Sequence, residues 1–191
     1  MKTNEIVILA IDTSCDETSV AVVQSRKVLS NVRYSQVDLH KEFGGVVPMV
    51  ARRAHEASIQ SVYQQALKTA KKKIEDIQYI AVTFGPGLAI DLEIGIEFAK
   101  QLAIQNNIPL VPVNHMEGHL LSSLALNSKG KGLVSGEKLK EAFPALGLLI
   151  SGKHTEIILL NDFCKYKKLG QTLDDASGEA FDKVGRMLNF G

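Results

Sequence analysis

The sequence predicts an α/β protein that opens with three β-strands and continues with strands that alternate with helices. Apolar and β-branched runs come first, and short apolar runs separated by long helical patterns follow. Strands joined through helices need crossover connections, so the later strands should pair mostly in parallel. The predicted order is β-β-β-α-β-α-β-α.

The predicted elements of the first part follow in chain order. The opening strands are "EIVILAI", "TSVAVVQS" and "KVLSNVRYSQVDL". A long helix is expected over residues 47 to 70, because Gly44-Gly45 breaks the chain and Pro48 suits a first turn. The residues at near-helical spacing are Val50, Ala54, Ala57, Ser61 and Val62.

A further strand, helix and strand are predicted after this helix. "DIQYIAVTF" has strand character, and "GPG" at 85 to 87 ends it. "LAIDLEIGIEFAKQLAIQN" predicts a helix, and Pro109 then opens the short strand "LVPVN". We interpret the glycine segment as a strand-to-helix turn, because Asp91 and Glu93 would repel phosphate at that helix start.

A change of composition predicts a boundary between two lobes. Lysine, glycine and serine dominate from Asn127 to Glu141, which suits an exposed connector. "FPALGLLISGKHTEIILL" then predicts a hairpin, "KYKKLGQTL" a third strand and Ser177 to Asn189 a helix. The expected organisation is a first lobe over residues 1–127, a connector over 128–142 and the opening of a second lobe over 143–191.

Composition excludes several functional classes. A net charge of +1 provides no global attraction to nucleic acid or to membranes, so an RNA contact needs a local patch. Candidate patches contain Arg52, Arg53 and His55, Lys71 to Lys73, and the lysines of 129 to 140. The two cysteines, Cys15 and Cys164, lie far apart and argue against a disulfide scaffold. No run is long enough to span a bilayer, which predicts a cytoplasmic protein without a membrane partner.

The segment "NHMEGHLL" places His115 and His119 four residues apart. On a helix capped by Asn114, both imidazoles would lie on one face and could converge on a metal ion. Glu117 would lie about 200° around the helix, which disfavours a zincin protease. Spacing alone equally allows two ordinary histidines at a helix start, and a catalytic metal would need a third ligand.

Three further segments carry polar groups. "IDTSCDETS" and "LISGKHTEI" are strand-turn-strand segments that could hold an anion, although their residues are also ordinary turn residues. In "LDDASGEAFDKVG", Asp174, Asp175 and Glu179 suit a helix entrance as capping residues.

Together these segments resemble one family, the tRNA N6-adenosine threonylcarbamoyltransferases (TsaD in bacteria), within the actin-like, Hsp70-like and sugar-kinase-like ATPases. The matching pieces are "IDTSCDETSVAVV", "YSQVDLHKEFGGVVPMVARRAH", "GPGL", "PVNHMEGHL", "LLISGKHTEIILL" and "LGQTLDDASGEAFDKVGRMLNFG". The resemblance implies a ribonuclease H-like first lobe with a mixed sheet and a second lobe that is incomplete here.

The resemblance also implies a set of site residues. His115 and His119 match ligands of one divalent metal ion, iron or zinc. Positions that contact a threonylcarbamoyl-AMP, ATP or AMP ligand match Leu149, Ile150, Ser151, Gly152, Lys153 and Asp182. The first phosphate-loop region matches Asp12, Ser14, Cys15, Asp16 and Glu17.

The implied reaction transfers a threonylcarbamoyl group from threonylcarbamoyl-AMP to N6 of adenosine 37 in tRNAs that read codons beginning with A. Asp16 or Glu17 is our hypothesis for the group that takes the proton of the amine. Implied partners are tRNA, a shorter paralogue and an ATPase subunit, with a homodimer as an alternative assembly. Competing hypotheses are a non-catalytic partner-binding lobe, an ATP-dependent small-molecule kinase, which the paired histidines disfavour, and a glycopeptidase.

The sequence departs from the family pattern at three points. Lys153 replaces a usual glycine, and Asp91 and Glu93 replace residues that are usually small or apolar. Family members also continue beyond the length of this chain, through a third metal ligand.

Overall fold

A five-stranded mixed sheet forms the centre of the first part of the chain. The computed structural model describes residues 5–134, 138–152 and 154–190. The strands are β1 Val7–Asp12, β2 Glu17–Gln24, β3 Lys27–Ser35, β4 Tyr79–Gly85 and β5 Leu110–Asn114. Their order is β3-β2-β1-β4-β5, with β1 antiparallel to β2 and parallel to β4. The predicted meander with a parallel continuation is confirmed.

Four helices accompany this sheet. They are α1 Val37–His40, α2 Pro48–Ala70, α3 Ala89–Asn106 and α4 His115–Ser122. Short 3₁₀ turns occupy Lys41–Phe43, Ile74–Asp76 and Lys140–Ala142. Helices α2 and α3 pack with the sheet, and Leu9, Ile80 and Ala66 are completely buried in the shared core. The two long helices end within a residue or two of their predicted bounds.

The buried face of α2 differs from the prediction. Ala54 and Val62 are buried as expected, whereas Ala57 and Ser61 are exposed. The inward positions instead carry small and polar residues as well as apolar ones: Ala51, Ala54, His55, Ser58, Ile59, Val62, Tyr63 and Ala66. The spacing of the five residues named from the sequence therefore identifies the helix but not its buried face, which also contains a histidine and a serine.

The third strand is shorter than predicted. β3 ends at Ser35, and residues 37–40 form α1 instead of extending the strand to Leu39. The buried Gln36 accepts a hydrogen bond through its side-chain oxygen from His40 Nε2 at 3.2 Å, and His40 Nδ1 accepts one from the Val47 N–H. These side-chain contacts favour a turn over the extended form that β-branched residues predict.

Helix α3 approaches the β1–β2 loop closely through Gly95. The Thr13 hydroxyl donates to the Asp91 carbonyl at 2.8 Å and accepts from the Gly95 N–H at 3.1 Å. A Cβ at Gly95 would collide with the Thr13 hydroxyl oxygen. Gly87 is similarly close to the Ser14 carbonyl, and the Leu88 N–H donates to that carbonyl. "GPG" is therefore a strand-to-helix turn, as predicted.

A carboxylate lies buried in the first turn of α3. Asp91 is fully buried, and within the described residues neither of its carboxylate oxygens has a hydrogen-bond partner. Burial raises the pKa of this carboxyl, and the nearby groups of His55, His40 and Arg52 lower it by less. Glu93 differs, because it pairs with Arg52 at 2.7 Å on the surface.

The later part of the chain forms an antiparallel sheet and a helix. The strands are β6 Ala145–Ile150, β7 Thr155–Asp162 and β8 Lys165–Gln171, paired in that order, and α5 spans Ser177–Met187. The predicted hairpin, third strand and helix are present.

The chain divides into two compact units. The first contains Met1–Gly118 with Ala125–Leu133, and the second contains His119–Leu124 with Val134–Gly191. The lobe boundaries predicted at residues 127 and 142 stay predictions.

Gly95→Ala is expected to lower the free energy of unfolding by about 1–3 kcal/mol, because the new methyl group overpacks against Thr13. Alanine's better helix propensity, worth about 1 kcal/mol, offsets part of this loss. Urea denaturation measures the change. Gly118→Ala in α4 is the matched control, since a Cβ there meets nothing within 4 Å, and it should not destabilise. Equal effects of the two substitutions would contradict the close approach.

Asp91→Ala is expected to stabilise the protein by about 1–2 kcal/mol at pH 7, because it removes a buried unpartnered carboxylate. Because the pKa of Asp91 is raised in the folded state, the folded wild type loses stability as pH rises above about 4, which is the pKa of an aspartate in the unfolded chain. The advantage of the variant should therefore shrink as pH falls toward 4, as followed by thermal denaturation. Glu93→Ala, which removes an exposed ion pair, is the control and should change stability by less than about 1 kcal/mol.

Candidate functional site

The carboxyl ends of the parallel strands bring polar residues to one edge of the first sheet. β1 ends at Asp12, and β5 ends at Asn114, directly before His115 opens α4. β4 lies between these strands and is parallel to both. Ligands of open α/β sheets bind at this edge, where the strand order changes direction.

The carboxylate of Asp12 lies beside the ring of His115. The Asp12 Oδ2 atom lies 3.6 Å from His115 Nδ1. The Ser14 N–H donates to Oδ1 at 3.1 Å, and the Ser14 hydroxyl donates to Oδ2 at 3.3 Å. A carboxylate beside one ring nitrogen orients an imidazole and leaves the other nitrogen to face a ligand.

The pKa of the Asp12 carboxyl lies below its usual range. Burial raises this pKa, but hydrogen bonding to His115, the positive potential of that ring, and hydrogen bonds from Ser14 and Thr83 lower it by more. Asp12 is therefore ionised at neutral pH.

Helix α4 presents the two histidines of the "HMEGH" segment. As predicted, Asn114 caps it, because the Asn114 side-chain oxygen accepts the N–H groups of Met116 and Glu117 at 2.9 and 3.2 Å. His115 and His119 are one helical turn apart, so both lie on one face. In the part of the chain that the structure describes, no group of three metal-ligating side chains lies together. His115 and His119 would therefore supply two ligands to a metal ion that needs at least one more.

The β1–β2 loop carries the other residues assigned to the first site. Ser14 is buried, and Cys15 and Asp16 are half-buried. Glu17 is the first residue of β2, and its carboxylate lies 3.1 Å from Arg33 on β3. The structure therefore brings Asp12, Ser14 and His115 together and turns Glu17 toward an ion pair.

The second anion-type segment lies within the second unit. Leu149 is buried in β6 and Ile150 is exposed at its end, while Ser151 accepts through its hydroxyl from the His154 N–H at 2.9 Å. Gly178 packs against Ser151 and Gly152, and the Gly178 N–H donates to the Ser151 carbonyl at 3.3 Å. The start of α5 therefore lies on this loop. Lys153 lies outside the described residues.

The entrance of α5 is capped differently from the prediction. The residue before α5 is Ala176, and no side chain of the acidic segment caps the helix. The Thr155 hydroxyl instead accepts the Ser177 N–H at 3.0 Å. Asp175 pairs with Lys183 at 2.6 Å, and Glu179 lies 3.4 Å from the same ammonium, which raises the Lys183 pKa. Asp182 is exposed on α5.

Two members of the proposed basic patch are unsuited to RNA. His55 is fully buried, and Arg52 forms ion pairs with Glu56 and Glu93 at 3.1 and 2.7 Å. The interpretation of these two as phosphate contacts was wrong, because they face α3 and the β1–β2 loop. Arg53, Lys71 and Lys73 are exposed.

Sequence reasoning missed the role of His55. Its Nε2 contacts the Cys15 carbonyl at 2.8 Å, and its Nδ1 contacts the Thr18 hydroxyl at 2.8 Å. The sequence contained a signal for this role. His55 lies on the same face of α2 as the small residues Ala51 and Ser58, and small residues on one helix face indicate the side that packs inward.

The fold defines the class of the protein. The mixed sheet with helices resembles a crystal structure described as an uncharacterised protein with similarity to the peptidase YeaZ from Pseudomonas aeruginosa. That likeness has a TM-score of 0.51 at 16% identity and covers 87% of this chain and 65% of the other. The predicted α/β fold with a mixed sheet is confirmed. In the described residues, no helix has the length and apolar character needed to cross a bilayer.

Sequence comparison identifies the family. The family described as TsaD, tRNA N6-adenosine threonylcarbamoyltransferase, matches residues 27–191, and the chain belongs to it. Relatives with the same description occur in Clostridioides difficile strain 630, at 47% identity over 98% of this chain and 53% of the relative, and in Dictyoglomus turgidum, at 50% over 96% and 52%. The chain spans about half the length of the curated relatives it matches.

Asp12→Asn is expected to destabilise the protein by about 0.5–1 kcal/mol at pH 7, because it removes the charge beside His115 at a partly exposed site. Since the pKa of Asp12 is lowered in the folded state, its carboxylate stabilises the protein above about pH 4, and this stabilisation disappears as the pH falls below that value. Chemical denaturation between pH 3 and 8 measures the effect. Asp16→Asn, which removes a carboxylate with no ion pair among the described residues, is the control and should destabilise the protein less than Asp12→Asn at pH 7.

Proposed function

We propose that the chain acts in the transfer of a threonylcarbamoyl group from threonylcarbamoyl-AMP to N6 of adenosine 37 in tRNAs that read codons beginning with A. The observation that carries this proposal is the Asp12–His115 contact at the carboxyl edge of the sheet, in a chain of the TsaD family. This contact orients one of the two histidines that the family resemblance assigns to a metal.

The donor chemistry suits one divalent iron or zinc ion. Imidazole is a favoured ligand of both metals, and Asp12 supplies the outer carboxylate that such ligands commonly need. His115 and His119 would hold the ion, together with a further ligand from outside the described residues. When bound, the metal would act as a Lewis acid toward phosphate or carbonyl oxygen.

Each unit contains one loop segment that is assigned to nucleotide contacts, and each is considered by itself. In the first unit, Ser14 and Cys15 lie in the loop that directly follows Asp12. In the second unit, the segment from Leu149 through Ile150, Ser151 and Gly152 lies against the start of α5, where backbone N–H groups favour an anion. Lys153 and Asp182 complete the assigned contacts. Threonylcarbamoyl-AMP is the proposed substrate, and ATP or AMP would share its adenylate contacts.

Asp16 is the better candidate for the group that accepts the amine proton. Glu17 is committed to an ion pair with Arg33 at 3.1 Å, and an arginine partner disfavours proton uptake by a carboxylate. Asp16 has no such pair within the described chain and lies one residue closer to Ser14. A proton taken from N6 would pass to the Asp16 carboxylate while AMP leaves.

The proposed assembly contains tRNA, a shorter paralogue and an ATPase subunit in the cytoplasm. Arg53, Lys71 and Lys73 remain candidates for phosphate contacts because their side chains are exposed. The lobe organisation that accompanies this assembly is 1–127, a connector over 128–142, and 143–191.

A second candidate function is a partner-binding lobe of the same complex without catalysis of its own. It is compatible with one observation: within the described residues, no group of three metal-ligating side chains lies together. Metal content and transfer activity distinguish the two functions.

The test compares the wild-type chain with His115→Ala, His119→Ala and a control, Gln64→Ala, which changes an exposed residue of α2. Elemental analysis should show stoichiometric metal in the wild type and control, and at least about tenfold weaker binding in the two α4 variants. Incubation with threonylcarbamoyl-AMP, tRNA and the partner subunits should form modified adenosine only with the wild type and control. Metal binding without transfer would favour the partner-binding lobe, and equal metal content in all four proteins would overturn the metal assignment.

A further inference from the structure

The β1–β2 loop is tied into the protein through its carbonyl groups. Three consecutive carbonyls each accept a hydrogen bond from a different element: Ser14 from the Leu88 N–H at 2.9 Å, Cys15 from His55 Nε2 at 2.8 Å and Asp16 from the Gln36 N–H at 3.0 Å. Two of these donors are backbone groups, so a substitution cannot remove them without moving the chain. The third is the His55 side chain.

The imidazole of His55 is fixed at both nitrogens. A carbonyl can only accept, so Nε2 must carry the hydrogen in the bond to Cys15. In the neutral ring, Nδ1 then accepts from the Thr18 hydroxyl at 2.8 Å. Thr18 and His55 are both fully buried, and Ser58 contacts the Thr18 hydroxyl at 2.8 Å. The Cys15 carbonyl requires the hydrogen on Nε2, and the contacts at both ring nitrogens fix the orientation of the ring.

Fixing the Cys15 carbonyl also fixes the next N–H group. The peptide bond between Cys15 and Asp16 is trans and planar, so the Asp16 N–H points opposite to the Cys15 carbonyl. The carbonyl faces buried His55 on α2, and the N–H therefore faces away from α2. The described residues provide no acceptor for this N–H, and Asp16 is half-buried beside Ser14.

We propose that His55 is a positioning residue that holds the Asp16 N–H ready to donate to an anionic oxygen. The anion is the phosphate of an adenylate, an identification that rests on the proposed function. His55 does not touch the ligand. Its effect passes through the Cys15–Asp16 peptide. The contact between the Thr18 hydroxyl and His55 Nδ1 keeps the ring in the orientation that this role requires.

A purely structural role for His55 makes different predictions. Loss of a buried histidine would lower stability in either case. Only the positioning role links the His55 donor to the direction of one amide and to phosphate affinity. Glutamine can place a donor where Nε2 lies, whereas leucine fills the space without donating.

The experiment titrates the chain with AMP and follows backbone amides by NMR. The proteins are the wild type, His55→Gln, His55→Leu and the control Tyr63→Leu, which alters a buried α2 residue that packs against Phe98. AMP should shift the Asp16 amide of the wild type. His55→Leu should bind AMP at least about tenfold more weakly, the size expected for loss of one hydrogen bond to a charged group. His55→Gln and Tyr63→Leu should stay within about threefold of the wild type.

Imidazole ¹⁵N spectra provide a second readout that does not depend on ligand or on stable variants. The wild type should show His55 with its hydrogen on Nε2. The opposite tautomer would overturn the proposal. So would an Asp16 amide signal that does not shift when AMP is added, or equal AMP affinities of His55→Leu and Tyr63→Leu. Absence of threonylcarbamoyl transfer by a wild type that binds AMP through Asp16 would defeat the proposed function and leave the positioning role intact.

Discussion

The placement of β1 between an antiparallel and a parallel neighbour is the constraint on which the rest of the first unit depends. Leu9 and Ile11 of this strand are buried, so its register is set by the core. That register determines that Asp12 ends the strand at the edge where β5 also ends. A slip of one residue would move Asp12 to the opposite face of the sheet and separate it from His115.

Contacts with helices α2 and α3 fix the conformation of the β1–β2 loop at this edge of the sheet. Gly95 lets α3 reach the Thr13 hydroxyl, and His55 lets α2 reach the next turn of the loop. Both contacts require positions that a sequence pattern would class as ordinary: a helical glycine and a helical histidine. The buried Asp91 lies in the same packing region and lowers the stability of the folded state, because an ionised carboxylate in a protein core is costly.

The sequence predicted the fold better than it predicted the side-chain contacts. Helix bounds such as Pro48–Ala70 follow from local breakers and periodicity, which act over a few residues. The end of β3 was missed because the Gln36 and His40 side chains form the turn, against the strand preference of nearby residues. The cap of α5 was missed because its donor-acceptor pair joins Thr155 to Ser177, far apart in sequence. The role of His55 likewise needed the loop and helix to be seen together.

The threefold anchoring of the β1–β2 loop has a thermodynamic consequence for any ligand that it binds. A loop whose carbonyls are already tied to three elements has few conformations left to lose. Binding should then involve little ordering of the backbone, and the cost that reduces affinity in flexible loops is small here. Selectivity would come from shape, since a rigid loop cannot adjust to an anion of different size.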